Sequence, residues 1–394
     1  MTRILFLFNH DAAHQVAHLA GVAAQMALRH ADVETLIAVA PEIRGAVESA
    51  VSAILAGDSA AASRIGWHDL ALPRWKDRLA GLANRVLPAR RLMRLRHFAP
   101  LLQSADSVVS TERTCLKAKQ SMRGRQPQFA IIPHGAGDRN VSYHADFTRF
   151  DLVLVSGEKV ATAMRGIGVA SSALRIIGYP KFDMVDFSAR VDLFGNGRPT
   201  FVYNPHFDPH LSSWYALGPD VLRWFASDAG QRYNLIFAPH VMLFRKSLHI
   251  SPEYRVAKRR PEIPAEAIAA GNIHIDIDGP HLFDMRYMVS ADGYIGDMSS
   301  QIYEFLARPR PAFFFDAHHG ARDEPEDQHL HWRAGPVVET LDALTALLPD
   351  FANIGANYRQ AQDALFNWTF DRGSLSASAR AADALAVACT SPTN

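Results

Sequence analysis

Cysteine is nearly absent from this chain of 394 residues. Cys115 and Cys389 are the only two, far apart and without a CxxC pair. That rules out a disulfide framework and fits a reducing compartment. An excess of either charge is lacking too. Forty-one basic residues meet 40 acidic ones, for a formal charge of +1, so bulk charge points to no nucleic-acid partner. No run reaches the ~18 apolar residues that a membrane span requires. The first apolar run, Ile4–Phe8, is short and leads into polar residues, which predicts a buried strand rather than a signal peptide. No repeat of solenoid period is present, and the 24 glycines and 22 prolines are dispersed. These absences leave a cytoplasmic protein, at most peripheral on the inner face of the cell membrane. Its 48% hydrophobic content and its length predict two cores.

What is present is alternation. Ile4–Phe8, Val33–Val39, Ser107–Val109, Phe129–Ile132, Leu152–Val155 and Leu174–Ile177 read as strands. Ala12–Arg29, Glu42–Leu55 and Glu158–Gly166 read as helices. Tyr179–Pro199, with Pro180, Gly195, Gly197 and Pro199, reads as a boundary. A second series follows, with strands at Phe201–Tyr203, Leu235–Ala238, Ile273–Ile275, Tyr294–Ile295 and Ala312–Phe315. Its helices are Ser213–Ser227, Leu282–Val289, Ser300–Leu306, Leu341–Leu348 and Tyr358–Trp368. Continuous apolar strands alternating with helices predict an α/β fold: two Rossmann-like parallel-sheet domains facing a cleft. The expected division is 1–190, 199–355, and C-terminal helices at 356–394 that pack back on the first domain.

Polar residues gather at strand ends. Asp297-Met-Ser-Ser300 lies between a strand and a helix. Ser299 and Ser300 read either as an ordinary N-cap or as a diphosphate site at a helix start, with no metal needed. Glu304, one turn on, is placed to accept ribose hydroxyls or simply sits exposed. His134 follows a strand in the loop His134-Gly135-Ala-Gly-Asp138-Arg139. It reads as a base for an acceptor hydroxyl, or as a histidine bonding its own loop. Asp138 and Arg139 read as orienting or anion-binding groups, or as a surface ion pair. Lys181 reads as an anion ligand or a solvated linker lysine. His206 and His240 end two strands of the second series, where a histidine would neutralise charge on a departing phosphate. His206, Asp208 and His210 do not make a convincing metal set around Pro209. The stretch 74–96 combines Arg78, Arg85, Arg90, Arg91 and Arg94 with apolar residues. It reads as facing an anionic membrane, or as a solvated helix.

These segments together resemble the CDP-glycerol glycerophosphotransferase family, the teichoic-acid primase and polymerase group with a GT-B-type catalytic domain. The resemblance runs from about Phe129 to Leu347. It rests on His134-Gly135, Gly178-Tyr-Pro-Lys-Phe-Asp183, Tyr203-Asn-Pro-His206 and His240-Val241. Its most specific part is Asp297-Met-Ser-Ser300 with Glu304-Phe305, Arg310-Pro311 and Phe315-Asp316, followed by Gly335-Pro336-Val337-Val338. Departures are Ala136-Gly137 for a Thr-Pro, Met298 for a tyrosine, and His206-Phe-Asp208 for a Thr-Trp-Arg. The resemblance implies His134 as acceptor-side base and His240, Ser299 and Ser300 as holders of a CDP-linked donor, with no cofactor. The expected reaction moves a glycerol-phosphate-type unit to a lipid-linked or glycan acceptor. A glycosyltransferase using a UDP-, GDP- or CMP-sugar and a non-catalytic phosphoglycan-binding protein are the alternatives.

Overall fold

In the computed structural model, which describes residues 1–10, 13–83, 88–138, 143–317 and 329–390, the chain divides into two compact units. Unit 1 comprises Met1–Ala136, Tyr143–Met184 and Trp368–Asn394. Unit 2 comprises Gly137–Ser142 and Val185–Asn367.

Unit 1 is built on β1 (Thr2–Phe8), β2 (Val33–Val39), β3 (Ile65–Asp69), β4 (Ser107–Ser110), β5 (Gln128–Ile131), β6 (Leu152–Val155) and β7 (Leu174–Ile176). All pair in parallel, in the order β3-β2-β1-β4-β5-β6-β7. Ile4 lies opposite Thr35 on one side and Ser107 on the other. Both faces are covered, so Ile4 to Phe8 are all buried despite alternating direction. The helix Ala20–Arg29 packs against the C-terminal helix Ala377–Thr390. Gly21 permits the approach: a Cβ there would lie 2.5 Å from Ser378 Oγ.

Unit 2 holds β8 (Thr200–Asn204), β9 (Asn234–Phe237), a separate antiparallel hairpin β10 (Leu248–Ser251) and β11 (Val256–Arg259), then β12 (Ile273–Ile275), β13 (Gly293–Gly296), β14 (Ala312–Phe315) and β15 (Val337–Val338). Its main sheet is parallel in the order β12-β9-β8-β13-β14-β15. The core is aromatic: Phe201, Tyr203, Trp214, Phe225, Phe237 and Phe313 are fully buried, with Trp214 stacked on Phe237 at 4.8 Å.

Both sheets have the doubly wound order. Each reverses direction beside its first strand, between β1 and β4 and between β8 and β13. In such sheets the carboxyl ends at the reversal form the crevice where ligands bind. The structure departs from the sequence reading in β3, β15 and the hairpin, which were not expected. It also breaks the expected helix Ala12–Arg29 into a tight 3₁₀ segment, Ala13–His18, and the α-helix Ala20–Arg29.

Candidate active site

The reversal point of unit 1 carries a polar network. His10 follows β1, and Thr111 and Glu112 follow β4. His10 Nδ1 lies 3.4 Å from Glu112 Oε1, and its Nε2 lies 3.2 Å from Thr111 Oγ1. Thr111 donates its hydroxyl to Gln15 Oε1 at 2.6 Å. Gln15 Nε2 donates to Glu112 Oε1 at 3.1 Å, and Arg91 Nη1 donates to the same oxygen at 2.7 Å. Burial alone would raise the Glu112 carboxyl. The His10 hydrogen bond and charge, together with Arg91, outweigh it and hold the carboxyl at about 2.

His134 projects beside this network. Its ring lies 6.1 Å from His14 and 6.4 Å from His18, centroid to centroid. Its Nδ1 is 3.2 Å from the carbonyl oxygen of Thr111. A carbonyl only accepts, so Nδ1 carries the hydrogen and Nε2 keeps its lone pair. The imidazole is solvent-exposed, yet desolvation by the protein around it lowers its pKa, so it is neutral at pH 7. His18 is 3% exposed. Burial, then the charge of Lys181, lowers its pKa well below the usual value. Lys181 is itself buried, which corrects the solvated-linker reading.

In unit 2, His206 follows β8 and His240 follows β9, with ring centroids 5.2 Å apart. Here the local bonding is reversed. The Asp208 N–H donates to His206 Nδ1 at 3.1 Å, and the Met242 N–H donates to His240 Nδ1 at 3.2 Å. With Nδ1 accepting, each ring carries its hydrogen on Nε2. Burial, then the charge of Arg245, lowers His240 to about 4. Ser299 Oγ accepts from the Gln301 N–H at 3.2 Å, and Ser300 is the N-cap of a helix of only five residues, Gln301–Phe305. Ser300 makes no side-chain cap bond. Glu304 is buried rather than exposed.

Several expected roles need correction. Asp297, expected with Ser299 and Ser300 among the donor-binding residues, is 0% exposed and holds backbone instead. Its Oδ2 accepts from the backbone N–H of His206 and of Ser213, both at 2.9 Å. Asp138 engages a different histidine from the one expected. Its carboxylate belongs to unit 2, accepts from the Tyr303 hydroxyl, and lies 3.2 Å from both the backbone N and Nδ1 of His331. A buried, fully engaged carboxylate repels rather than recruits an anion. Arg94 does not face a membrane: its side chain is 2% exposed and grips Glu42 at 2.6 and 2.7 Å. Arg90 pairs with Asp77 at 3.0 Å and Arg91 with Glu112. Arg78 remains exposed. Arg139 and Arg85 lie outside the described residues. Gly135 lies half-buried in the loop after β5. The residues that sequence reasoning missed are His10, His14, Gln15, His18, Thr111 and Glu112. The one legible signal was three histidines spaced by four directly after the first strand.

Two doubly wound parallel-sheet units make this a GT-B-type fold. No protein-family model and no curated protein matches the sequence. Among solved structures, the chain is similar to the wall teichoic acid polymerase TagF, with 13% identity and a TM-score of 0.60 over 98% of this chain and 88% of that one. It is also similar to the S. aureus MnaA–UDP co-structure, at 11% identity and TM-score 0.58 over 98% and 95% of the two chains. A putative UDP-N-acetylglucosamine 2-epimerase from Listeria monocytogenes gives 11% identity and TM-score 0.62 over 98% and 95%. TagF is of the group that the motifs resemble. At these identities the likeness is one of fold.

Proposed function

We propose that the chain is a GT-B-type transferase that moves an alditol-phosphate unit from a CDP-linked donor to a hydroxyl of a lipid-linked or glycan acceptor. The observation that carries this reading is the split in histidine tautomers. His134 presents a lone pair on Nε2, as a base requires, while His206 and His240 present Nε2–H donors, as a phosphate requires. In the proposed reaction His134 Nε2 takes the acceptor's hydroxyl proton. The oxygen attacks the donor's distal phosphorus, the bond from that phosphorus to the bridging oxygen breaks, and CMP leaves with the electron pair. His240 and His206 donate to the phosphate oxygens, with Ser299 and Ser300 beside them. Such chemistry relies on positioning and charge neutralisation.

A second reading, sugar transfer from a nucleotide sugar, is favoured by one departure. His206-Phe-Asp208 stands where the resemblance calls for an arginine. In that case a nucleoside diphosphate leaves instead. The test is to incubate the protein with CDP-glycerol and a short lipid-linked disaccharide and to identify the released nucleotide. CMP release that falls by 10²–10⁴ in His134→Asn supports the proposal. CMP release unchanged in that variant, in a folded protein, refutes it. UDP release from a UDP-sugar supports the second reading.

A lipid-linked acceptor implies a membrane surface. Among the described residues no helix is long and apolar enough to cross a membrane. Two exposed patches fit an anionic surface better than the paired arginines do. Trp75 and Leu79 are 62% and 56% exposed beside Arg74 and Arg78. On the hairpin, Leu248 and Ile250 are 54% and 63% exposed, with Arg259 opposite Leu248 and Arg245, Lys246 and Arg255 nearby.

A further inference from the structure

At the reversal point of unit 1 the side chains of His10, Gln15, Thr111 and Glu112 close a ring, and the carboxylate fixes the direction of its hydrogen bonds. Glu112 only accepts. Gln15 must therefore turn Nε2 toward Glu112 Oε1, 3.1 Å away, and the same nitrogen lies 3.2 Å from His14 Nε2. That leaves Gln15 Oε1 facing Thr111, so the Thr111 hydroxyl donates, at 2.6 Å. With its hydrogen committed, Thr111 Oγ1 accepts from His10, whose Nε2 lies 3.2 Å away and so carries a hydrogen. His10 Nδ1 returns to Glu112 Oε1 at 3.4 Å. His10, Gln15 and Thr111 are buried, so a broken link strands a polar group away from water.

Thr111 is the member of the ring that touches His134. Its carbonyl oxygen lies 3.2 Å from His134 Nδ1. Its backbone continues β4, while its side chain is gripped by His10, which follows β1, and by Gln15 in the 3₁₀ segment Ala13–His18.

We propose that Thr111 is a positioning residue for the transfer reaction: the ring holds its carbonyl against Nδ1 of His134 and so keeps the lone pair on Nε2, where the acceptor hydroxyl needs it. The inference rests on the transferase reading in giving His134 the role of base. A neutral imidazole carries its one hydrogen on either nitrogen. A fixed acceptor at Nδ1 biases the two forms about fivefold, the effect of one ordinary hydrogen bond. A carbonyl that swings away loses that bias.

NMR of nitrogen-labelled histidine rings tests this without substrate, at about pH 8, where an ordinary histidine is neutral. The His134 signals are identified by their loss in His134→Asn. In wild type, His134 should carry its hydrogen on Nδ1. Thr111→Val keeps the shape but removes the hydroxyl, and should give a mixture of the two tautomers. With CDP-glycerol and the lipid-linked disaccharide, the same variant should lose about tenfold in kcat for CMP release at an unchanged KM for the donor. Thr111→Ser keeps the hydroxyl and should restore the wild-type spectrum. If Thr111→Val does not fold, Gln15→Met, which removes the acceptor of the Thr111 hydroxyl, decides by the same spectrum. A wild-type His134 with its hydrogen on Nε2, a Thr111→Val spectrum like that of wild type, or an unchanged kcat in that variant would each overturn the proposal. So would a tautomer mixture in Thr111→Ser. If the spectra come out as expected but the wild type releases CMP from no donor, the positioning of His134 stands and the transferase reading falls.

Discussion

Replacing Glu112 by glutamine removes the charge at the centre of the unit 1 network. The carboxyl sits at about 2 against an ordinary 4.5, and its side chain is only 11% exposed. That depression of about 2.5 units corresponds to roughly 3 kcal/mol at pH 7. Because the native pKa is lowered, the contribution is fully present above about 4.5 and is lost as pH falls through about 2. At pH 3 the unfolded carboxyl is protonated while the native one is still mostly ionised, so about 1 kcal/mol remains. Urea unfolding of wild type and Glu112→Gln, followed by a probe in unit 1, should therefore give a difference of about 3 kcal/mol at pH 7 and about 1 at pH 3. Glutamine keeps an acceptor for Arg91, so the pH-dependent part isolates the charge. An equal difference at both pH values would refute the assigned ion pairing.

Arg94→Ala should cost about 2 kcal/mol by leaving Glu42 without its two charge-assisted bonds, seen as an earlier urea midpoint. It should leave binding to phosphatidylglycerol-containing vesicles unchanged. The double variant Leu248→Asp, Ile250→Asp should weaken vesicle binding roughly tenfold at unchanged stability. Sedimentation with vesicles measures both. Weakening by Arg94→Ala alone would restore the original arginine reading.

The sheets were readable because strands such as Leu152–Val155 and Ala312–Phe315 are unbroken apolar runs, which only a sheet covered on both faces explains. Edge strands carry no such signal. β3 is Ile-Gly-Trp-His-Asp and only Ile65 is buried, while β15 is two residues long. The placement of His206 and His240 after strands was readable. The unit 1 network was not, because Glu112 meets Gln15 across 97 residues of sequence. The histidines at 10, 14 and 18 adjoin only one another in sequence, so their neighbours Thr111, Glu112 and His134 were not visible there. Asp138 was misassigned for the same reason: proximity to His134 in sequence concealed its partners Tyr303 and His331, more than 160 residues away.

The most direct test of the account is calorimetric titration with CMP, CDP, UDP, GDP and CDP-glycerol of wild type, His240→Ala and Ser299→Ala. The account predicts selective cytidine binding, weakened about tenfold by His240→Ala through loss of one donor to a charged phosphate. Binding of none of these nucleotides, or cytidine binding indifferent to His240 and Ser299, would contradict it.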